Sequence, residues 1–175
     1  MTQTQQDQII NSLIDRQITI STMESCTSGM IASMITDTSG ASAVFPGGFV
    51  TYLKREDIPD NMINMLEIVG MENFLKIIKE YGVYSGECAK AMAETVREKL
   101  NTDIGIGITG TTGNLDPNNA DSVQGQAFFS IVWKESVFVD EIHVDVTGKS
   151  RHGIKQLYAD RVFEKLAEII NVKQG

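Results

Sequence analysis

Apolar and polar positions along this chain follow two periods, and the switches between them mark out its elements. Residues 3–16 set Ile9, Ile10, Leu13 and Ile14 at helical spacing in a polar background, which predicts an amphipathic N-terminal helix. Ile18 to Met23 alternates instead, as a strand does. From about Thr27 the pairs Met30/Ile31 and Met34/Ile35 restore the helical period, until the polar cluster Asp37 to Gly40 closes it. Residues 41–48 read as a turn before a short strand over Phe49–Tyr52, rich in aromatic and β-branched side chains. Lys54 to Asp57 is charged and reads as exposed. Pro59 and Asp60 can start a helix, and residues 60–81, interrupted at Gly70, predict two helices or one bent helix. Ser85 suits the N-cap of a helix to about Leu100, with Ala89, Met92, Ala93 and Val96 on one face.

The second half begins with Ile104 to Thr109, which reads as a buried strand whose glycines imply close packing against its backbone. Gly110 to Gly113 and a polar loop from Asn114 to Ser122 follow. Gln126–Trp133 and Val137–Val146 predict a β-hairpin turning at Lys134 to Ser136. In its second arm Ile142, Val144 and Val146 share one face, with His143 and Asp145 on the other. A final helix is predicted from about Ser150 to Val172, with Ile154, Leu157, Val162, Leu166 and Ile169 as its apolar face. This order predicts one domain over residues 1–175, an α/β fold built as a three-layer α/β/α sandwich on a mixed, mostly parallel sheet.

Composition narrows the function classes. With 42% hydrophobic and 22% charged residues the 175-residue chain is an ordinary globular domain. Its net charge of -8 argues against nonspecific nucleic-acid binding, though one local pocket can still take a small anion. No signal peptide and no membrane-length apolar run are visible, and Cys26 and Cys88 do not suggest a disulfide framework. A reducing cytoplasm is the default location.

The candidate chemistry gathers at Glu24-Ser-Cys-Thr-Ser-Gly29, where the first strand turns into a helix. Unpaired N–H groups at a helix N-terminus favour an anion, and Ser25, Cys26 and Thr27 sit in that turn beside the Glu24 carboxylate. The plainer alternative is that Thr27 or Ser28 merely caps the helix. Thr109 to Gly113 is a second phosphate-friendly turn. In a parallel sheet both turns would lie at the carboxyl ends of strands, where open α/β sheets bind ligands. His143 and His152 have no metal-ligand spacing with each other or with a cysteine. No G-x-S-x-G elbow is present, and Gly148-Lys-Ser150 lacks the upstream glycine of a P-loop. Ser25, Thr27, Tyr52, Thr109 and the glycine turn remain. A serine without a histidine partner needs another base, and a lysine or tyrosine of depressed pKa can serve.

These motifs, in this order, resemble the CinA C-terminal domain family, which includes stand-alone nicotinamide mononucleotide (NMN) amidohydrolases. The family's Glu-Ser-Cys-Thr-Gly-Gly is similar to Glu24 to Gly29, with Ser28 in place of the first glycine. Its Pro-Gly-Ser-Ser and Gly-Gly-x-Val-x-Tyr segments resemble Ser39 to Ser42 and Gly47 to Tyr52. Its Gly-Ala-Val-Ser segment is similar to Gly82 to Ser85 and runs on to Met92-Ala93. Its Thr-Gly-Ile-Ala-Gly-Pro loop resembles Thr109 to Gly113, with Asn114 at the proline. The likeness runs from about Ile18 to Leu166.

The resemblance implies hydrolysis of a carboxamide without metal or cofactor: NMN and water give nicotinate mononucleotide and ammonia. It implies Ser25 as nucleophile, Tyr52 in the site, and a substrate-binding set of Glu24, Cys26, Thr27, Ser28, Gly29, Gly47, Gly48, Thr109, Gly110, Thr111, Gly113 and Arg151. The partner implied is a small pyridine nucleotide, not nucleic acid or membrane, and the assembly expected is a homo-oligomer. One departure falls at the chemistry: the family's serine-activating lysine corresponds to Asp57, leaving Lys54 as the nearby candidate. Gly148 to Arg151 matches a family Gly-Asp-Arg segment loosely, with Lys155 a second cation. The alternative reading is therefore a catalytically impaired nucleotide-binding or regulatory module on the same fold.

Overall fold

The computed structural model describes residues 1–51, 72–117, 120 and 122–172. The predicted strand end at Tyr52, the charged stretch 54–57 and the predicted helical residues 60–71 lie outside the described residues.

Five strands form one sheet in the order β2-β1-β3-β4-β5, with β1 at Ile20–Glu24, β2 at Gly47–Val50, β3 at Ile104–Gly110, β4 at Gln126–Trp133 and β5 at Ser136–His143. β1 pairs in parallel with β2 and β3, and β4 pairs antiparallel with β3 and β5. The sheet is thus mixed, with β1, β2, β3 and β5 pointing one way and β4 the other. Parallel neighbours need crossover connections, which helices supply, while the β4–β5 pair closes through a tight hairpin.

Helices cover both faces. Helix α1 (Gln3–Asp15) opens with a capping box between Thr2 and Gln5. It packs with α2 (Met30–Thr36) and the long last helix α5 (Arg151–Ile169) on one face, over Ile20, Ile104, Ile106 and Ile108. On the other face lies α4 (Gly86–Leu100), capped by Ser85 as its sequence predicts, with α3 (Glu72–Tyr81) packed on it. Ile78, Cys88, Met92 and Val96 form the core there against Met23. The glycines of β3 are explained by this contact. A Cβ on Gly105 would lie 2.1 Å from the Ala93 carbonyl oxygen, and one on Gly107 would lie 2.2 Å from that of Ala89.

Several boundaries differ from the sequence expectation. Helix α2 begins at Met30 rather than near Thr27, because residues 25–29 form a turn whose end requires positive φ. The short strand covers Gly47–Val50 rather than Phe49–Tyr52, since Gly47 and Gly48 pair with Ser21 and Thr22. β5 ends at His143 rather than Val146, although Val144 and Val146 still pack on the core. In α5 Leu157 is exposed, and the neighbouring Tyr158 is fully buried in its place.

Candidate functional site

β1 ends in a residue pair whose side chains go to opposite faces, as strand alternation requires. Glu24 turns toward α2 and is fully buried. Its carboxylate accepts from the N–H groups of Gly29 (3.1 Å), Ile31 (3.1 Å) and Ala32 (2.8 Å). A chain oxyanion therefore occupies the positive end of α2. Neither Thr27 nor Ser28 caps this helix; Glu24 does, from six residues before its first residue, Met30. The Ser28 amide donates to the Ser25 carbonyl at 3.1 Å and that of Met30 to the Thr27 carbonyl at 3.3 Å. Every N–H from Ser28 to Ala32 is thus bonded inside the turn.

Ser25 faces the other way. Its N–H donates to the Ile108 carbonyl at 3.0 Å, which extends the β1–β3 ladder by one residue. Its side chain is half-buried, and among the described residues its hydroxyl makes no hydrogen bond. It borders a narrow cleft of about 10 Å³, room for roughly one water, whose described lining is Thr51, Ile78, Val83, Cys88, Met92 and Thr109. Thr109 is held there by its hydroxyl, which donates to the Val83 carbonyl at 2.8 Å. Thr51, just before Tyr52, is tied to the same strand end through its N–H and the Glu24 carbonyl at 2.8 Å. Tyr52, Lys54 and Asp57 lie outside the described residues.

The turn's backbone is left-handed at two consecutive positions, Ser28 (φ 55°) and Gly29 (φ 88°). That explains why glycine suits position 28 and marks Ser28 as a locally costly choice. Cys26 is buried on the α2 face, and burial with the nearby Glu24 charge pushes its thiol up to about 12. The N–H groups of Cys26 and Thr27 and the charge of Lys155 oppose that rise without reversing it. A thiol so protonated is not a nucleophile at neutral pH. Cys88, on the cleft side, is pushed up to about 12 by burial alone.

The second turn lies beside the first, because β1 and β3 are parallel neighbours in register Glu24↔Ile108. Its backbone is gripped from several sides. Thr111 donates its N–H to the Gln126 carbonyl at 2.8 Å and its hydroxyl to the Val123 carbonyl. Tyr158 of α5 donates to the Thr111 carbonyl at 2.8 Å, and Arg151 donates to the Thr112 carbonyl at 2.8 Å. Gly110 sits at φ 155°, where a Cβ would lie 2.4 Å from the Gln126 carbonyl oxygen. Gly113 sits at φ 98°, and no described residue lies within 4 Å of where its Cβ would be.

A profile of the CinA C-terminal domain matches residues 2–170. The chain belongs to that family. It is 37% identical over 105 residues to a CinA-like protein of Dictyoglomus turgidum, covering 60% of this chain and 23% of that protein. It is 35% identical over 147 residues to a putative competence-damage inducible protein of Streptococcus agalactiae, covering 83% of this chain and 32% of that one. The chain thus spans about a third or less of the length of these relatives. Among solved structures, a competence-damaged protein (CinA) superfamily protein of Klebsiella pneumoniae superposes with a TM-score of 0.79 at 18% identity, covering 98% of both chains. That likeness shows the α/β fold.

Within this CinA domain the carboxyl ends of β1 and β3 bring together Ser25, Cys26, Thr27, Ser28 and Gly29 with Thr109, Gly110, Thr111, Gly113 and Arg151. Gly47 and Gly48 stand apart from that cluster, at the start of β2. A Cβ on Gly48 would lie 2.5 Å from the Thr22 carbonyl oxygen, which accounts for that glycine by strand packing. Tyr158 was not singled out from the sequence. The available signal is its position seven residues after Arg151, on the same face of α5. Among the described residues no three His, Cys, Asp or Glu side chains gather as a metal site requires. None of the described helices is long and apolar enough to cross a membrane.

Proposed function

We propose that this CinA domain is an amidohydrolase of the NMN deamidase type. The observation that carries the reading is the Ser25 hydroxyl, half-exposed and without a hydrogen-bond partner among the described residues, in a cleft it shares with Thr109. Ser25 Oγ attacks the carboxamide carbon, the C–N bond breaks, ammonia leaves, and water then hydrolyses the ester to release nicotinate mononucleotide. Tyr52 or Lys54 assists the proton transfers. With the Ser28 and Gly29 amides bonded within the turn, Cys26 and Thr27 are left to donate to the oxyanion. Their present contact is the weakly accepting Cys26 sulfur. The nucleotide phosphate lies against the Thr109–Gly113 turn near Arg151. Ammonia measured from NMN and purified protein tests this, with Ser25→Ala as control. Release that the control does not abolish rejects the assignment.

Asp57 at the position of the family's serine-activating lysine favours a second reading, a nucleotide-binding or regulatory module without turnover. Calorimetry separates the two: tight binding of NMN with no ammonia formed supports the second.

A further inference from the structure

A trans peptide points its C=O and its N–H in opposite directions. The Thr111 and Thr112 carbonyls both face α5, one on the Tyr158 hydroxyl and the other on the Arg151 guanidinium. The N–H groups of Thr112 and Gly113 must then face away from that helix. Among the described residues neither donates to any acceptor. Thr112 is buried, and its hydroxyl also lacks a partner. Three donors in one turn thus have no acceptor, and buried donors are rarely left so. Among the described residues, nothing lies within 4 Å of where a Cβ on Gly113 would sit.

We infer that Tyr158 is a positioning residue: by holding the Thr111 carbonyl it turns the Thr112 and Gly113 N–H groups outward as a cradle for a phosphomonoester, joined by the Thr112 hydroxyl. This deepens the nucleotide reading of the site and rests on it for the pyridine part alone. Burial keeps the Tyr158 phenol protonated, so its donor role persists across the working pH range.

Binding of NMN, nicotinamide riboside and inorganic phosphate is measured by calorimetry on the full chain, for wild type, Tyr158→Phe and Thr112→Val. Losing one hydrogen bond should weaken NMN and phosphate about tenfold in either variant and leave the riboside unchanged, which general structural damage would not do. Thr112→Val also removes a buried unpartnered hydroxyl, so it should fold at least as stably as wild type and keeps the test open if Tyr158→Phe does not fold. Equal NMN affinity in wild type and Thr112→Val overturns the cradle while leaving the amidohydrolase reading intact. Phosphate binding that depends on residues 112 and 158, with no preference for pyridine nucleotides, supports the cradle and counts against that reading. No phosphate-dependent binding in wild type overturns the cradle.

Discussion

Ser25 is hydrogen-bonded through its N–H to the carbonyl of Ile108 at 3.0 Å, so the candidate nucleophile is fixed to the strand that leads into the glycine turn. Two loops distant in sequence thereby share one backbone frame. The positions of Ser25 and Thr109 depend on that frame more than on either loop's own flexibility.

Glu24 closes the other side of the same frame. A buried carboxylate with three N–H partners cannot be shortened without leaving those donors unpaired. Glu24→Ala should cost about 2–4 kcal/mol of unfolding free energy in urea titrations. A cost within experimental error of zero would mean that α2 does not depend on this cap.

Ser28 occupies left-handed backbone at φ 55°. Ser28→Gly should stabilise the domain by about 0.5–1 kcal/mol, because the Cβ strain outweighs the added chain entropy. Thermal melting of the two proteins reads the sign directly, and a fall in Tm contradicts it.

Gly107 lies under α4 with no room for a methyl group, 2.2 Å from the Ala89 carbonyl oxygen. Gly107→Ala should push the helix off the sheet at a cost of about 3 kcal/mol. Denaturant unfolding measures this, and an unchanged midpoint would show that the helix can shift freely.

Burial pushes the Cys26 and Cys88 thiols up to about 12, with the Glu24 charge adding to the rise at Cys26, so neither supplies thiolate at pH 8. A thiol reagent such as DTNB should label neither cysteine in the native protein and both after unfolding. Rapid native labelling of Cys26 would reopen a cysteine nucleophile.

Asp103 accepts the N–H and hydroxyl of Thr19, and these bonds hold its carboxyl below the usual range. A depressed carboxylate stabilises the fold above its unfolded pKa, and that contribution fades as pH falls through the lower folded value. Asp103→Asn should therefore cost stability at pH 7 and progressively less below about pH 4. A cost that stays constant down to pH 2 contradicts the linkage.

Much of this architecture is legible from local sequence. Ser85 capping α4, the apolar stripe of α1 and the close-packed glycines of β3 follow from spacing alone, because each depends on neighbours within a few residues or on a simple steric rule. The α2 cap was not legible in that way. Its acceptor comes from the end of a strand, and linear spacing favours the nearer hydroxyls of Thr27 and Ser28. Tyr158 escaped for a similar reason: only the fold brings α5 against Thr111, and Leu157 next to it is the more apolar choice. The two turns could be placed at one end of the sheet once the strands were read as parallel, since β1 and β3 then end side by side.

Covalent chemistry at Ser25 passes through an ester on its Oγ. Rapid quench of the protein with NMN, followed by intact-mass and peptide mass spectrometry, tests this most directly. The expected result is an ester adding the mass of NMN less ammonia, on the peptide containing Ser25 and absent from Ser25→Ala. Ammonia release at the wild-type rate with no adduct, or with the adduct on another residue, would contradict it.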